Sequence, residues 1–200
     1  MSVWISGERN ITFLHIPKTA GTSMLDWLIT NRGDGQHIKW DTHPKHSTML
    51  EQIPNPNFTF TVVRNPWDRM VSMYHYMKDI AINEGSKWLA LNGVSADNFP
   101  TFDYWITNLE TFQVPAAYWF NGLNAQVEWI DRPVDLIIRY EHLEQGLEKV
   151  RDAINLRVPF PHHYKSNHTH YTDYYTDATR QLVDKTFEQD IDLFKYSFNE

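Results

Sequence analysis

In "FLHIPKTAGTSM" (residues 13–24) an apolar run breaks off into a lysine, small residues and a Thr-Ser pair. The run that leads in, "ITFLHI" (11–16), is rich in β-formers and stops at Pro17, which fits a buried strand. Beyond the break, Met24, Leu25, Trp27, Leu28 and Ile29 recur at helical spacing until Asn31 and Gly33 end the pattern. A loop between a strand and a helix lets backbone N–H groups converge, and the first helical turn offers its donors to an anion. Lys18, Thr19, Gly21, Thr22 and Ser23, with Ala20 among them, therefore form a candidate phosphate cradle. The common nucleotide loop reads G-x-x-x-x-G-K-[ST], whereas here Lys18 precedes Gly21, which counts against an NTPase. The plainer alternative is a Pro-Lys turn leading into a well-capped helix.

The same grammar recurs downstream. "FTFTVV" (58–63) reads as a strand, followed by Arg64, then Asn65 as an N-cap, Pro66 at the first helical position and Asp68 in the first turn. Arg64 at the strand's carboxyl end and Ser72 along the helix can address one further phosphate. Arg69 suits a solvated helix charge, and Trp67, Met70, Val71 and Tyr74 suit the core. "VDLIIR" (134–139) opens a third unit, and Leu143, Leu147, Val150 and Ile154 of the segment after it share one helical face. Three strand-loop-helix units predict an α/β chain with a parallel sheet and right-handed crossovers. In such sheets ligands gather at strand carboxyl ends, so two loops there can hold two ends of one nucleotide.

Between Asn83 and Asn124 only a short helix after Pro100 and Thr101 is expected. At the C-terminus Thr176 caps a closing helix with Val183, Phe187, Ile191 and Phe194 in register.

Composition bounds the possibilities. The 200 residues, 42% hydrophobic and 14% aromatic, suit a single domain over 1–200 with a sizeable core. A formal net charge of −7 gives no broad basic surface, so nucleic acid is not an expected partner and any anion site must be local. The absence of cysteine removes disulfide frameworks, thiolate nucleophiles and cysteine-bound zinc. "MSVWISGERN" lacks a basic, apolar leader, and no run of about 18 apolar residues occurs, so a soluble, cytoplasmic chain without an integral membrane segment is expected.

Taken together, "HIPKTAGTS", "VVRNPWDRMVSMYHY", "RYEHL" and the tail "YYTDATRQLVDKTFEQDIDLFKYSF" resemble the sulfotransferases that use 3′-phosphoadenosine 5′-phosphosulfate (PAPS), in particular their carbohydrate-type, family 2-like branch. The resemblance covers most of the chain. It implies a P-loop-like three-layer α/β/α fold around a central, mainly parallel sheet, and PAPS as sulfuryl donor with 3′-phosphoadenosine 5′-phosphate (PAP) as product. It further implies that Lys18, Thr19, Ala20, Gly21, Thr22 and Ser23 hold the 5′-phosphosulfate while Arg64 and Ser72 hold the 3′-phosphate. Lys18 would stabilise charge on the departing bridging oxygen. No metal is expected.

The acceptor hydroxyl must lose a proton as it attacks, which asks for a base. "DTHPKHSTMLEQIP" offers His43 and His46, and "HSTMLEQI" resembles the histidine segment of small bacterial members, which favours His46. A histidine capping a helix that starts near Ser47 is the structural alternative. His162, His163, His168 and His170 form a further cluster, which with Lys165 and Asn167 borders the acceptor or, with His43 and His46, would make a metal site. Without an H-E-x-x-H pattern the metal reading is the weaker. Among Trp88, Tyr104, Trp105, Tyr118 and Trp119, exposed rings could stack on sugar. The acceptor is thus expected to be a glycan or other small molecule with a free hydroxyl. Two other classes remain in view, an atypical P-loop nucleotide kinase or NTPase and a catalytically inactive nucleotide- or glycan-binding protein.

Overall fold

The computed structural model describes residues 2–6, 11–31, 35–39, 58–83, 94–95, 97–109, 123–130, 133–161 and 168–200. The chain forms two compact units, one from 1–64 and 124–165, the other from 65–123 and 166–200.

The first unit carries a five-stranded sheet of order β3-β1-β2-β4-β5, with β1 Ser2–Ser6, β2 Ile11–His15, β3 Gly35–Lys39, β4 Phe58–Val63 and β5 Leu136–Arg139. β2, β4 and β5 run parallel, as the three-unit reading predicts. β1 is antiparallel to both β2 and β3. The strands β1 and β3 carry no sequence expectation, because five residues of mixed polarity such as "SVWIS" and "GQHIK" give little periodic signal. Their pairing with β2 and with each other creates them.

Side chains alternate across the sheet. Ile11, Phe13, Phe60, Val62 and Ile138 pack on one side with Met24, Leu25, Trp27 and Leu28 of α1 (Gly21–Asn31) and Leu147, Val150 and Ile154 of α4 (Leu143–Ile154). Each such side chain withdrawn from water contributes about 1.5–3 kcal/mol. Phe13 and Phe60 meet ring to ring at 5.1 Å. The opposite-facing Thr12, Leu14, Thr61 and Val63 are buried too, as a central α/β layer requires. α4 can lie close on β5 because Gly146 has no side chain: a Cβ there would stand 2.3 Å from Cγ2 of Ile138. Asn155, at φ 52°, ends α4 in the left-handed conformation that asparagine tolerates.

The second unit is built around α2 (Pro66–Asn83), with α3 (Phe102–Thr107), α5 (Asp177–Thr186) and α6 (Glu188–Phe194). The two expected N-caps, Asn65 and Thr176, form, and Thr101 is a third. Oδ1 of Asn65 accepts from the N–H of Trp67 at 3.1 Å, Thr101 accepts from Tyr104, and Thr176 forms a capping box with Thr179. Trp67, Met70, Val71 and Tyr74 are buried as expected. Arg69 is not the solvated charge the sequence suggested: it is fully buried. The closing helix is also not continuous. Phe187, at φ −115° and ψ 27°, ends α5 and begins α6 while its ring stays buried. No proline or glycine marks that break, so packing rather than propensity sets it.

Candidate functional site

The cradle begins where β2 stops. Thr61 Oγ1 on β4 donates to the carbonyl of Leu14 on β2 at 2.8 Å, and Leu14 is paired in register with Thr61. The carboxyl ends of these neighbouring parallel strands are thereby tied together, and the loop after β2 and Arg64 after β4 leave from the same edge of the sheet. This is the arrangement expected of a ligand site in a parallel α/β sheet.

Within the loop, Lys18 (φ 68°) and Ala20 (φ 64°) both adopt the left-handed conformation. For residues with a Cβ this costs about 1–2 kcal/mol each, and such strain clusters at functional positions. Left-handed residues alternating with ordinary ones turn N–H groups toward one side, the geometry of an anion-binding nest. Thr19 is fully buried and its hydroxyl donates to the carbonyl of Ile16 at 2.8 Å, so it braces the loop. The first bond of α1 runs from Met24 N–H to the carbonyl of Ala20 at 3.0 Å. The N–H groups of Gly21 and Thr22 thus precede the helix's own ladder, at its positive end. Ser23 is buried, Thr22 is exposed and Lys18 is half-buried.

Gly21 is not the residue that takes the unusual backbone. Its role is steric: a Cβ at Gly21 would stand 1.8 Å from Cδ2 and Nε2 of His15. The partly buried His15 ring is itself stacked near Phe13, centroids 6.1 Å apart and planes 18° apart, and would have to shift from that position to admit a Cβ. Gly21→Ala is accordingly expected to lower stability by about 1–3 kcal/mol, the usual cost of overpacking, read as a reduced urea midpoint. Adding His15→Ala should restore most of the loss, whereas an unchanged midpoint in the single variant would contradict the contact.

Arg64 is almost fully buried, at 7% exposure. Its Nη1 donates to the carbonyl of Lys18 at 3.2 Å, and its guanidinium carbon lies 4.4 Å from the ring centroid of Tyr140, a cation–π distance. Register explains the latter contact: Val63 pairs with Arg139, so the next residues, Arg64 and Tyr140, emerge side by side. The main chain of Arg64 meets Gln126, whose Oε1 accepts from the Arg64 N–H and whose Nε2 donates to the Arg64 carbonyl, both at 2.8 Å. The structure brings the Arg64 guanidinium to the Lys18 carbonyl, a contact the sequence did not predict, and adds Tyr140, Gln126 and His15, to which no role was assigned. "RYEHL" could have pointed to Tyr140; nothing local marks Gln126.

Ser72 lies on α2 in the second unit and is buried. His43 and His46 lie outside the described residues, as do His162, His163, Lys165 and Asn167, and Trp88, Tyr118 and Trp119. Of the other rings considered for sugar stacking, Tyr104 is exposed and Trp105 is fully buried. His168 contacts the carbonyl of Thr169 through Nδ1 at 2.7 Å and stacks on His75, centroids 5.1 Å apart. His75 Nε2 is 2.8 Å from the Tyr174 hydroxyl, and burial, reinforced by His168, pushes its pKa below the ordinary value. His170 binds Thr172 Oγ1 at 2.8 Å. Among the described residues no group of three or more acidic or histidine side chains is arranged to hold a metal ion, and no helix is long and apolar enough to cross a membrane.

A positively ended helix, a nest at Lys18 to Ala20, an ammonium and a buried guanidinium on one sheet edge suit a polyanionic ligand. Comparison with known proteins agrees with that chemistry: the family model described as "Sulfotransferase family" matches residues 1–197. Neither the curated proteins nor the solved structures give a match.

Proposed function

The chain belongs to the sulfotransferase family, and from that premise we propose that it moves a sulfuryl group from PAPS to an acceptor hydroxyl on a carbohydrate or other small metabolite, by in-line displacement. The observation that carries the reading is the hydrogen bond from the Arg64 guanidinium to the Lys18 carbonyl, which joins the loops after β2 and β4 at the carboxyl ends of these strands. In this reading residues 1–200 act as one sulfotransferase-like domain in the cytoplasm. The 5′-phosphosulfate lies on the loop from Lys18 to Ser23, and the 3′-phosphate meets Arg64 and Ser72.

The transfer balances without a metal. The acceptor oxygen forms a bond to sulfur while the bond from sulfur to the bridging phosphate oxygen breaks, and its electron pair stays on PAP. The acceptor's proton passes to a base, assigned to His46 with His43 as the alternative. Positioning and fixed charge supply most of the acceleration in transfers of this kind.

The reading is tested by calorimetry with PAP and AMP. PAP is expected to bind more tightly, and Arg64→Ala should remove about 1.5–3 kcal/mol of that preference, the worth of a charge-assisted contact. Equal affinities in the unaltered protein, or an undiminished preference in the variant, would overturn the assignment of Arg64.

A further inference from the structure

We propose that Gln126 is a positioning residue that aims Arg64 into the nucleotide site and thereby sets the preference for a 3′-phosphorylated nucleotide, an inference that rests on the reading above. β4 ends at Val63, the last residue of the strand to pair with β5. Just past it, the main chain of Arg64 finds a substitute partner in a side chain 62 residues away. A primary amide carries a donor and an acceptor side by side, as a peptide group does. Gln126, with no solvent exposure, uses Oε1 for the N–H and Nε2 for the carbonyl of one residue and so adds a rung beyond the strand's end.

Engaging both groups of the same residue fixes the direction of its Cα–Cβ bond, which a single hydrogen bond would leave free to swing. From that fixed start the Arg64 side chain reaches the Lys18 carbonyl at 3.2 Å and covers the Tyr140 ring at 4.4 Å. A guanidinium ordered before the ligand arrives loses less freedom on binding, so the pairing raises affinity for the group that Arg64 meets. Gln126 touches the backbone alone in this pairing, and the effect should fall on the phosphate that Arg64 serves.

The test uses the full chain as Gln126→Leu and Gln126→Glu. The leucine loses both bonds; the glutamate can still accept from the Arg64 N–H but sets an oxygen against its carbonyl. Affinities for PAP and AMP are measured by calorimetry. Order of the Arg64 side-chain N–Hε is followed by nitrogen-15 relaxation in the ligand-free protein, with Arg151, held by Glu144 and Glu148, as the internal reference. In Gln126→Leu the ratio of PAP to AMP affinity should fall about tenfold, the scale of one charge-assisted contact, with AMP affinity changed by less than about twofold. Arg64 order should fall while that of Arg151 stays.

A folded leucine variant that keeps the ratio and the order overturns the proposal, and so does an equal loss of both affinities, which would mean general loosening. If the unaltered protein does not prefer PAP, the nucleotide reading fails, and the Arg64 order alone then decides whether Gln126 positions it. Should the leucine variant not fold, the glutamate variant is read in the same way. Loss of folding in both makes Gln126 a core residue and overturns the proposal.

Discussion

Lys18→Ala is expected to lower sulfuryl-transfer turnover by about 10²–10³-fold, the usual effect of removing one donor from a site of developing charge, while weakening PAP binding far less. As the bond from sulfur to the bridging oxygen lengthens, negative charge collects on that oxygen. An ammonium held there gains more in the transition state than in the ground state, so its loss appears in kcat rather than in binding. The loop should survive the substitution. Ala20 already adopts φ 64° two residues on, so an alanine can occupy the φ 68° of Lys18, and the carbonyl that receives Arg64 remains. The measurement is turnover with labelled PAPS beside calorimetry with PAP. A parallel loss of both would make Lys18 a binding residue only. EDTA should leave turnover unchanged; a strict magnesium requirement with ATP hydrolysis at a comparable rate would instead support the kinase alternative.

His46→Ala should lower kcat by about 10²–10⁴-fold, the range for a positioned general base, with PAP affinity nearly unchanged. The acid limb of the pH–rate profile, where activity rises as the base sheds its proton, should vanish with the imidazole. Of the described histidines, His75 meets Tyr174 and His168 and His170 meets Thr172, whereas His15 packs against Gly21 of the cradle. His43→Ala is the control three residues away. Near-native turnover in His46→Ala with loss in His43→Ala would make His43 the base, and indifference at both would assign the proton to a carboxylate such as Glu51 or to water.

The sequence by itself determined the features whose causes are local. The apolar run before Pro17 and the Asn65-Pro66 start of α2 each depend on residues a few positions apart, and they appear as read. The parallel order of β2, β4 and β5 followed from repeating one local unit, because strand, loop and helix in succession return the chain parallel to itself. Even the nearness of the two cationic loops was legible, since both leave strand carboxyl ends. Only the tertiary structure decided which residue bears which task within that frame. Strain falls on Lys18 and Ala20 rather than on Gly21, whose missing side chain instead makes room for His15. Arg69 is buried, Phe187 interrupts a helix that its neighbours would continue, and β1 and β3 exist through their pairing. The orientation of Arg64 comes from Gln126 and Tyr140, residues far along the chain. Periodicity and capping are set by neighbours within one or two turns, and no pattern of that span encodes a partner brought near only when the sheet closes.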